Sequence, residues 1–231
     1  PPAPPPYIST SSRPRADVPS MPRAATTAPM AHPLRLRLER YAESQLPTEY
    51  GDLRCVVFTE PKTGLEHVAL YSGDIRGAEG LLTRVHSECL TGEVFHSLKC
   101  DCREQLDMAL KRVGEAGHGL VLYLRQEGRG IGLGNKIRAY AKQDEGYDTV
   151  DANRVLGFDD DLRSYDIAAA MLASLEVRSV RLMTNNPEKV AGLEAEGVVV
   201  TERVDHIAAP HAHNREYLAT KRARMGHLLD E

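Results

Sequence analysis

The chain has 231 residues, four cysteines and a formal net charge of −4 at pH 7, enough length to bury a full hydrophobic core without disulfide staples. No apolar run approaches the roughly 18 residues of a membrane helix, and there is no basic excess or stripe of the kind that neutralises nucleic-acid phosphates, so neither a membrane nor a nucleic acid is an expected partner. Four cysteines without a secretory leader point to a reducing, cytoplasmic setting in which thiols stay open to metal.

Residues 1–33 hold ten of the fourteen prolines beside many Ala, Ser and Thr; such a stretch cannot bury enough apolar area to offset chain entropy and is expected to be disordered. It carries one acid, Asp17, and opens on Pro1, with Met21 and Met30 as candidate starts. Its proline content argues against an amphipathic presequence. Residues 34–231 are expected to form one folded domain, with 26 basic against 32 acidic residues. Binding any polyanion therefore requires a local concentration of arginine and lysine.

In chain order, Leu53–Phe58 and Glu66–Tyr71 are β-rich runs separated by the turn cluster Glu60-Pro61-Lys62-Thr63-Gly64. They predict a hairpin, which Leu81–Val85 extends. The stretch from Arg84 to Gln105 then holds three of the four cysteines, Cys89 and the Cys100-x-Cys102 pair. Cys55 reads as a buried bystander. Cysteines so spaced serve either as small buried hydrophobes or as ligands of one ion, brought together by a turn at Thr91-Gly92. Arg84, His86, Glu88, Lys99, Asp101 and Gln105 crowd the same segment and favour a site, since burying them unpaired is costly. Three thiolates would leave a tetrahedral zinc one open corner for water, a catalytic arrangement.

Arg103–Glu115 follows as an amphipathic helix with Leu106, Ala109, Leu110 and Val113 on one face, and Gly114 and Gly117 suit its end. Gly119–Leu124 is a short apolar strand that discharges into a glycine-rich loop, Arg125–Gly134, before a helix over Asn135–Gln143. Exposed backbone N–H groups together with Arg125, Arg129 and Lys136 make that loop an anion cradle. Ser164 is the expected N-cap of a helix reaching about Leu175. Ser179–Met183 reads as a buried strand, Pro187–Glu196 as a helix begun by proline and Val198–Val204 as a returning strand. Thr184 and Lys189 thus stand at a strand's carboxyl end, where open α/β sheets place ligands. The expected fold is a layered α/β domain whose mixed β-sheet is flanked by helices and antiparallel in its N-terminal part. His211 and His213, and the run Lys221-Arg222-Ala223-Arg224, read as solvated surface.

Taken together, the segments Arg84-Val85-His86-Ser87-Glu88-Cys89, Lys99-Cys100-Asp101-Cys102, Leu124–Leu133, Asn135–Tyr140, Asp161-Leu162-Arg163-Ser164-Tyr165 and Thr184–Lys189 closely resemble GTP cyclohydrolase II, the zinc enzyme that begins riboflavin synthesis. The resemblance runs from about Leu46 to the end of the chain. It implies hydrolysis of GTP at C8 with release of formate and pyrophosphate, one Zn2+ per chain on Cys89, Cys100 and Cys102, Mg2+ with the phosphates, and a homodimer. It also implies nucleotide contacts at Arg84, Val85, His86, Ser87, Glu88, Gln105, Glu127, Gly128, Arg129, Thr149, Thr184 and Lys189. Arg84, Arg129 and Lys189 suit phosphates, and Gln105 with Glu127 suits a guanine edge. Asp161 is implied as proton acceptor and Arg163 as nucleophile at the α-phosphorus. Transition-state charge stabilisation is an equally sound chemical role for the guanidinium. Tyr140 is implied in completing deformylation. Two alternatives stand beside this: a cyclohydrolase that stops at the formamidopyrimidine, and a non-catalytic zinc-stabilised nucleotide-binding module, whose closed site would draw His86 or His96 in as fourth ligand.

Overall fold

In the computed structural model, residues 38–159, 161–208, 219–220, 222–224 and 226–228 are described. The expected tail, residues 1–33, and the pair His211 and His213 lie outside them. The architecture is one seven-stranded mixed sheet with helices on both faces, in the order β1-β2-β3-β5-β4-β6-β7. The strands β1 (Glu39–Thr48), β2 (Gly51–Thr59), β3 (Glu66–Ser72) and β5 (Gly119–Leu124) are mutually antiparallel neighbours. The strands β4 (Leu81–Ser87), β6 (Val180–Met183) and β7 (Val200–Val204) complete the sheet with parallel pairings, β4 lying between β5 and β6. The expected mixed sheet, antiparallel in its N-terminal part, is what the chain forms.

β5 is apolar throughout because it is covered on both sides, as a central strand with helices above and below must be. Leu120, Leu122 and Leu124 point one way and pack with Val56, Phe58, Ile167, Met171 and Leu193. Val121 points the other way, with Leu53, Ala109, Val113 and Met183. Each leucine so enclosed contributes about 1.5–3 kcal/mol relative to exposure. The first layer is built on α5 (Asp166–Ser174) and α6 (Pro187–Ala195), the second on α2 (Cys102–Ala116). Gly117, at φ 61°, ends α2 with its N–H on the Gly114 carbonyl.

The expectation that Leu81–Val85 extends the hairpin is corrected. β4 has no pairing with β3; β5 inserts between them, antiparallel to one and parallel to the other. Ser164 is not the cap of α5 either. Tyr165 holds that position without a side-chain bond, and the Ser164 hydroxyl donates instead to Asp166 Oδ1 at 2.6 Å. The turn expected at Thr91-Gly92 is a helical one, α1 (Leu90–Glu93). Two further helices are α3 (Gly132–Asp144) and α4 (Thr149–Val155), the latter capped by Asp148, which accepts from the backbone N–H groups of Val150 and Asp151. Cys55 lies half-buried on β2.

The parallel strands β4, β5 and β6 all run toward one edge of the sheet. Their carboxyl ends at Ser87, Leu124 and Met183 open into a common crevice, the expected place for a ligand in such a sheet.

Candidate active site

Three sulfurs meet at that edge. Cys89 caps the start of α1, Cys102 begins α2 and Cys100 closes the loop between them. Their Sγ atoms lie within 4.8 Å of one another, and Cys89 and Cys100 are 3.7 Å apart. Tetrahedral zinc with bonds of about 2.3 Å separates its sulfurs by about 3.8 Å, so the cluster fits such an ion. Gly92 makes the convergence possible: a Cβ there would sit 2.8 Å from Cys100 Sγ and 3.3 Å from Cys89 Sγ. Cys89 is held well below the ordinary thiol range, by hydrogen bonds from Cys100 and Cys102 first and by Lys136 after them, while hydrogen bonding to Cys100 and burial push Cys102 up.

Neither histidine that a closed site would need joins the sulfurs. His86 is 2% exposed and its Nε2 lies 2.7 Å from Glu93 Oε1, while Tyr123 donates to Glu93 Oε2 at 2.5 Å. Burial lowers the His86 pKa, so the neutral ring donates from Nε2 and leaves Nδ1 as a buried acceptor without a protein partner. His96 is exposed and bonds Arg103. Among the described residues the metal-ligand set is the three cysteines alone.

Around the sulfurs opens a cleft lined among others by Arg84, His86, Ser87, Glu88, Gln105, Glu127, Gly128, Arg129, Tyr140, Thr149, Arg163, Thr184 and Lys189. The structure thus gathers nearly every residue singled out in the sequence from segments far apart in the chain. Two stand behind the wall. Val85 points into the core at 1% exposure and offers the site only its carbonyl, which accepts from Lys189 Nζ at 2.9 Å. Asp161 backs Arg163, accepting from its backbone N–H at 3.0 Å and from Nε at 2.8 Å. Burial alone would raise the Asp161 carboxyl, but the guanidinium keeps it below the usual carboxylate range.

The cations are preorganised by the frame. Arg84 on β4 is 4% exposed, donates from Nη1 to the Met183 carbonyl at 2.7 Å and from Nη2 to Gln105 Oε1, and keeps a buried Nε without a partner. Burial pulls its pKa down to about 10, which still leaves it charged at neutral pH. Gln105 is fixed further by donating to Asp101 Oδ2 at 2.5 Å. Its backbone carbonyl lies 2.8 Å from His206 Nε2. Glu88 accepts from Arg125 Nε at 2.8 Å. Gly128 and Arg129 both adopt left-handed backbone, at φ 62° and 60°, which turns the loop back over α3.

Sequence reasoning assigned Lys136 to the anion cradle, and the structure turns it elsewhere: its Nζ donates to Glu127 Oε1 at 2.8 Å and to Cys89 Sγ at 3.0 Å. Asn185, Asn186 and Asn153 were missed as lining residues, as was His227, which comes from the C-terminal segment. Asn185 and Asn186 lay inside a motif already singled out. Asn153 sits on α4, which has no strong apolar period, and nothing local marked His227.

Residues 39–205 match the family model described as GTP cyclohydrolase II. The GTP cyclohydrolase-2 of Cronobacter sakazakii is 55% identical over 194 residues, covering 84% of this chain and 98% of that one. The riboflavin biosynthesis protein RibBA of Endomicrobium trichonymphae is 50% identical over 199 residues, and there the chain spans 49% of the relative's length. A solved structure of RibBX, a two-domain 3,4-dihydroxy-2-butanone 4-phosphate synthase from A. baumannii, overlaps at a TM-score of 0.40 and 18% identity over 72% of this chain and 40% of that one.

Proposed function

Because the chain belongs to the GTP cyclohydrolase II family, we propose that it hydrolyses GTP at C8, releasing formate and pyrophosphate and leaving 2,5-diamino-6-ribosylamino-4(3H)-pyrimidinone 5′-phosphate, the first step of riboflavin synthesis. The observation that carries this reading is the meeting of a three-sulfur cluster with a cleft lined by Arg84, Arg129, Arg163 and Lys189. A zinc ion held by Cys89, Cys100 and Cys102 would supply a Lewis acid and a water of lowered pKa at the guanine end.

The chain's own residues divide the remaining work. Arg84, Arg129 and Lys189 neutralise and orient the triphosphate, and Mg2+ bound with the substrate would offset part of its charge. Arg84 needs no reorganisation to do so, since Met183 and Gln105 already hold its guanidinium. The orphaned His86 Nδ1, Ser87 Oγ and Asn186 Nδ2 suit an edge of the purine or ribose, which would satisfy buried groups that the protein itself leaves unpaired. Asp161 holds Arg163 through a two-pronged ion pair. A guanidinium so engaged is a weak nucleophile, and we assign it to stabilising charge on the α-phosphate in the transition state. The Tyr140 phenol, pushed up to about 12 by burial, keeps its proton at neutral pH and can donate it as formate leaves.

Glu127 and Gln105, with their side-chain groups engaged inside the protein, serve the site as supports. Thr149 at the start of α4 and Thr184 after β6 both line the cleft. The enzyme is proposed to act in the cytoplasm as a homodimer. Incubation with GTP and Mg2+, followed by assays for formate, pyrophosphate and the diaminopyrimidine, tests the reading; GTP left intact by the zinc-loaded chain overturns it.

A further inference from the structure

Lys136 lies one helical turn before Tyr140 on α3 and is 9% exposed. An ammonium at that depth is costly unless paired and hydrogen-bonded. Glu127 would satisfy it in charge, with Nζ to Oε1 at 2.8 Å, yet Nζ also donates to Cys89 Sγ at 3.0 Å. That second bond singles out one sulfur of three: among the described residues, Lys136 is the cation bonded to a cysteine of the cluster.

Glu127 completes a clamp. Its Oε1 also accepts from the Gly128 N–H at 2.8 Å, and its Oε2 accepts at 2.7 Å from the N–H of Leu90, the residue that follows Cys89. The lysine therefore holds the Cys89 side chain while its carboxylate partner holds the adjoining backbone. The lysine stem is fixed too, since a Cβ on Gly128 would stand 3.1 Å from Lys136 Cβ. Gly128, at φ 62°, lets the loop and the stem lie this close without crowding.

We propose that Lys136 is a positioning residue for the metal, acting through Cys89: its ammonium withdraws charge from that thiolate, making Cys89 the weakest sulfur donor of the three. The inference rests on the zinc reading above. Three full thiolates blunt the acidity of a bound metal. Hydrogen bonding to a ligating sulfur is a recognised means of tuning it. The clamp also ties the glycine loop, where Gly128 and Arg129 line the nucleotide cleft, to the metal ligand in one continuous network.

Cobalt(II) replaces zinc in sulfur sites and reports donor strength through its sulfur-to-metal charge-transfer band. Lys136→Met in the full chain should move that band to lower energy, and Lys136→Met/Glu127→Gln, which leaves no unpaired carboxylate, should move it likewise. Lys136→Arg, retaining charge and donor, should stay near the wild-type position. With zinc, Lys136→Met should lower kcat for formate release by about 10–100-fold with KM little changed. A role confined to packing would change urea stability and leave the band in place. A wild-type band reproduced by both Met variants overturns the inference alone. A wild-type chain with no sulfur-to-cobalt band overturns the metal reading and the inference with it.

Discussion

Replacing Gly114 by alanine sets two physical effects against each other. Gly114 lies inside α2, where alanine is ordinarily preferred by about 1 kcal/mol, so helix propensity alone predicts a more stable protein. The structure predicts the reverse, because a Cβ at this position would stand 1.8 Å from the carbonyl oxygen of Tyr50 and 3.0 Å from its carbonyl carbon. The obstacle is backbone, and it sits in the tight β1–β2 turn, where the Thr48 hydroxyl donates to the Gly51 carbonyl at 2.8 Å and accepts from the Tyr50 N–H at 3.1 Å. No rotamer relieves it. Helix and turn must separate by about 1.5 Å, at the upper end of the roughly 1–3 kcal/mol typical of overpacking. Less the propensity gain, the net loss is about 2 kcal/mol, or a fall in Tm of about 4–8 °C for a domain of this size. Urea denaturation should show a lower midpoint at unchanged slope. Gly134, on α3 with nothing within 4 Å of an added Cβ, is the control, and Gly134→Ala should be neutral or gain up to about 1 kcal/mol. A Gly114→Ala protein as stable as the parent would refute the reasoning.

Cys100→Ser should lose zinc and formate release together while Cys55→Ser keeps both, as metal analysis and product assay will tell; an active, metal-free Cys100→Ser protein would refute the site. Gly92→Ala should lower zinc affinity at least tenfold in chelator competition, because its Cβ intrudes between Cys89 and Cys100. His206, buried beside Arg84, has its pKa lowered to about 3. The unfolded chain therefore takes up a proton near pH 6.5 that the fold refuses, so this contribution is complete above about pH 6.5 and is lost as pH falls toward 3, at up to about 1.4 kcal/mol per unit. In His206→Gln the loss of urea stability between pH 6.5 and 5 should be smaller by about 2 kcal/mol, and equal slopes would remove His206 as the cause. Tyr140→Met should still open the ring but accumulate the formylated intermediate on mass spectrometry, and unchanged product would return the tyrosine to packing.

The chemistry of the site was legible in the sequence further than its frame. Cys89, Cys100 and Cys102 lie close in the chain, and a short loop suffices to bring them together. The placement of β5 between β3 and β4 was not legible, because an apolar run such as Gly119–Leu124 carries no mark of its neighbours. β1 was missed for a different reason: Glu39–Thr48 is exposed along almost its whole length, so it lacks the alternation by which a half-buried strand announces itself. Its ladder to β2 and the ion pair of Glu43 with Arg54 at 2.6 Å hold it there. Lys136 shows a further limit. Its charge beside a glycine loop suggested an anion, and only the fold, which brings α3 next to Cys89 and Glu127, could show that the anion is a sulfur and a carboxylate of the protein itself.

The site also joins contacts of very different reach along the chain. The sulfur pair Cys89 and Cys100 is separated by 11 positions, whereas the bond from Arg84 to Met183 spans 99 and that from Lys189 to Val85 spans 104. Loop closure makes the long contacts the slower to form. During synthesis the whole cysteine segment emerges before the strand that fixes Arg84. The sulfur cluster and the nucleotide cleft thus depend on contacts of different reach, and a truncation before β6 would keep the cysteine segment while removing the strand whose Met183 carbonyl holds Arg84.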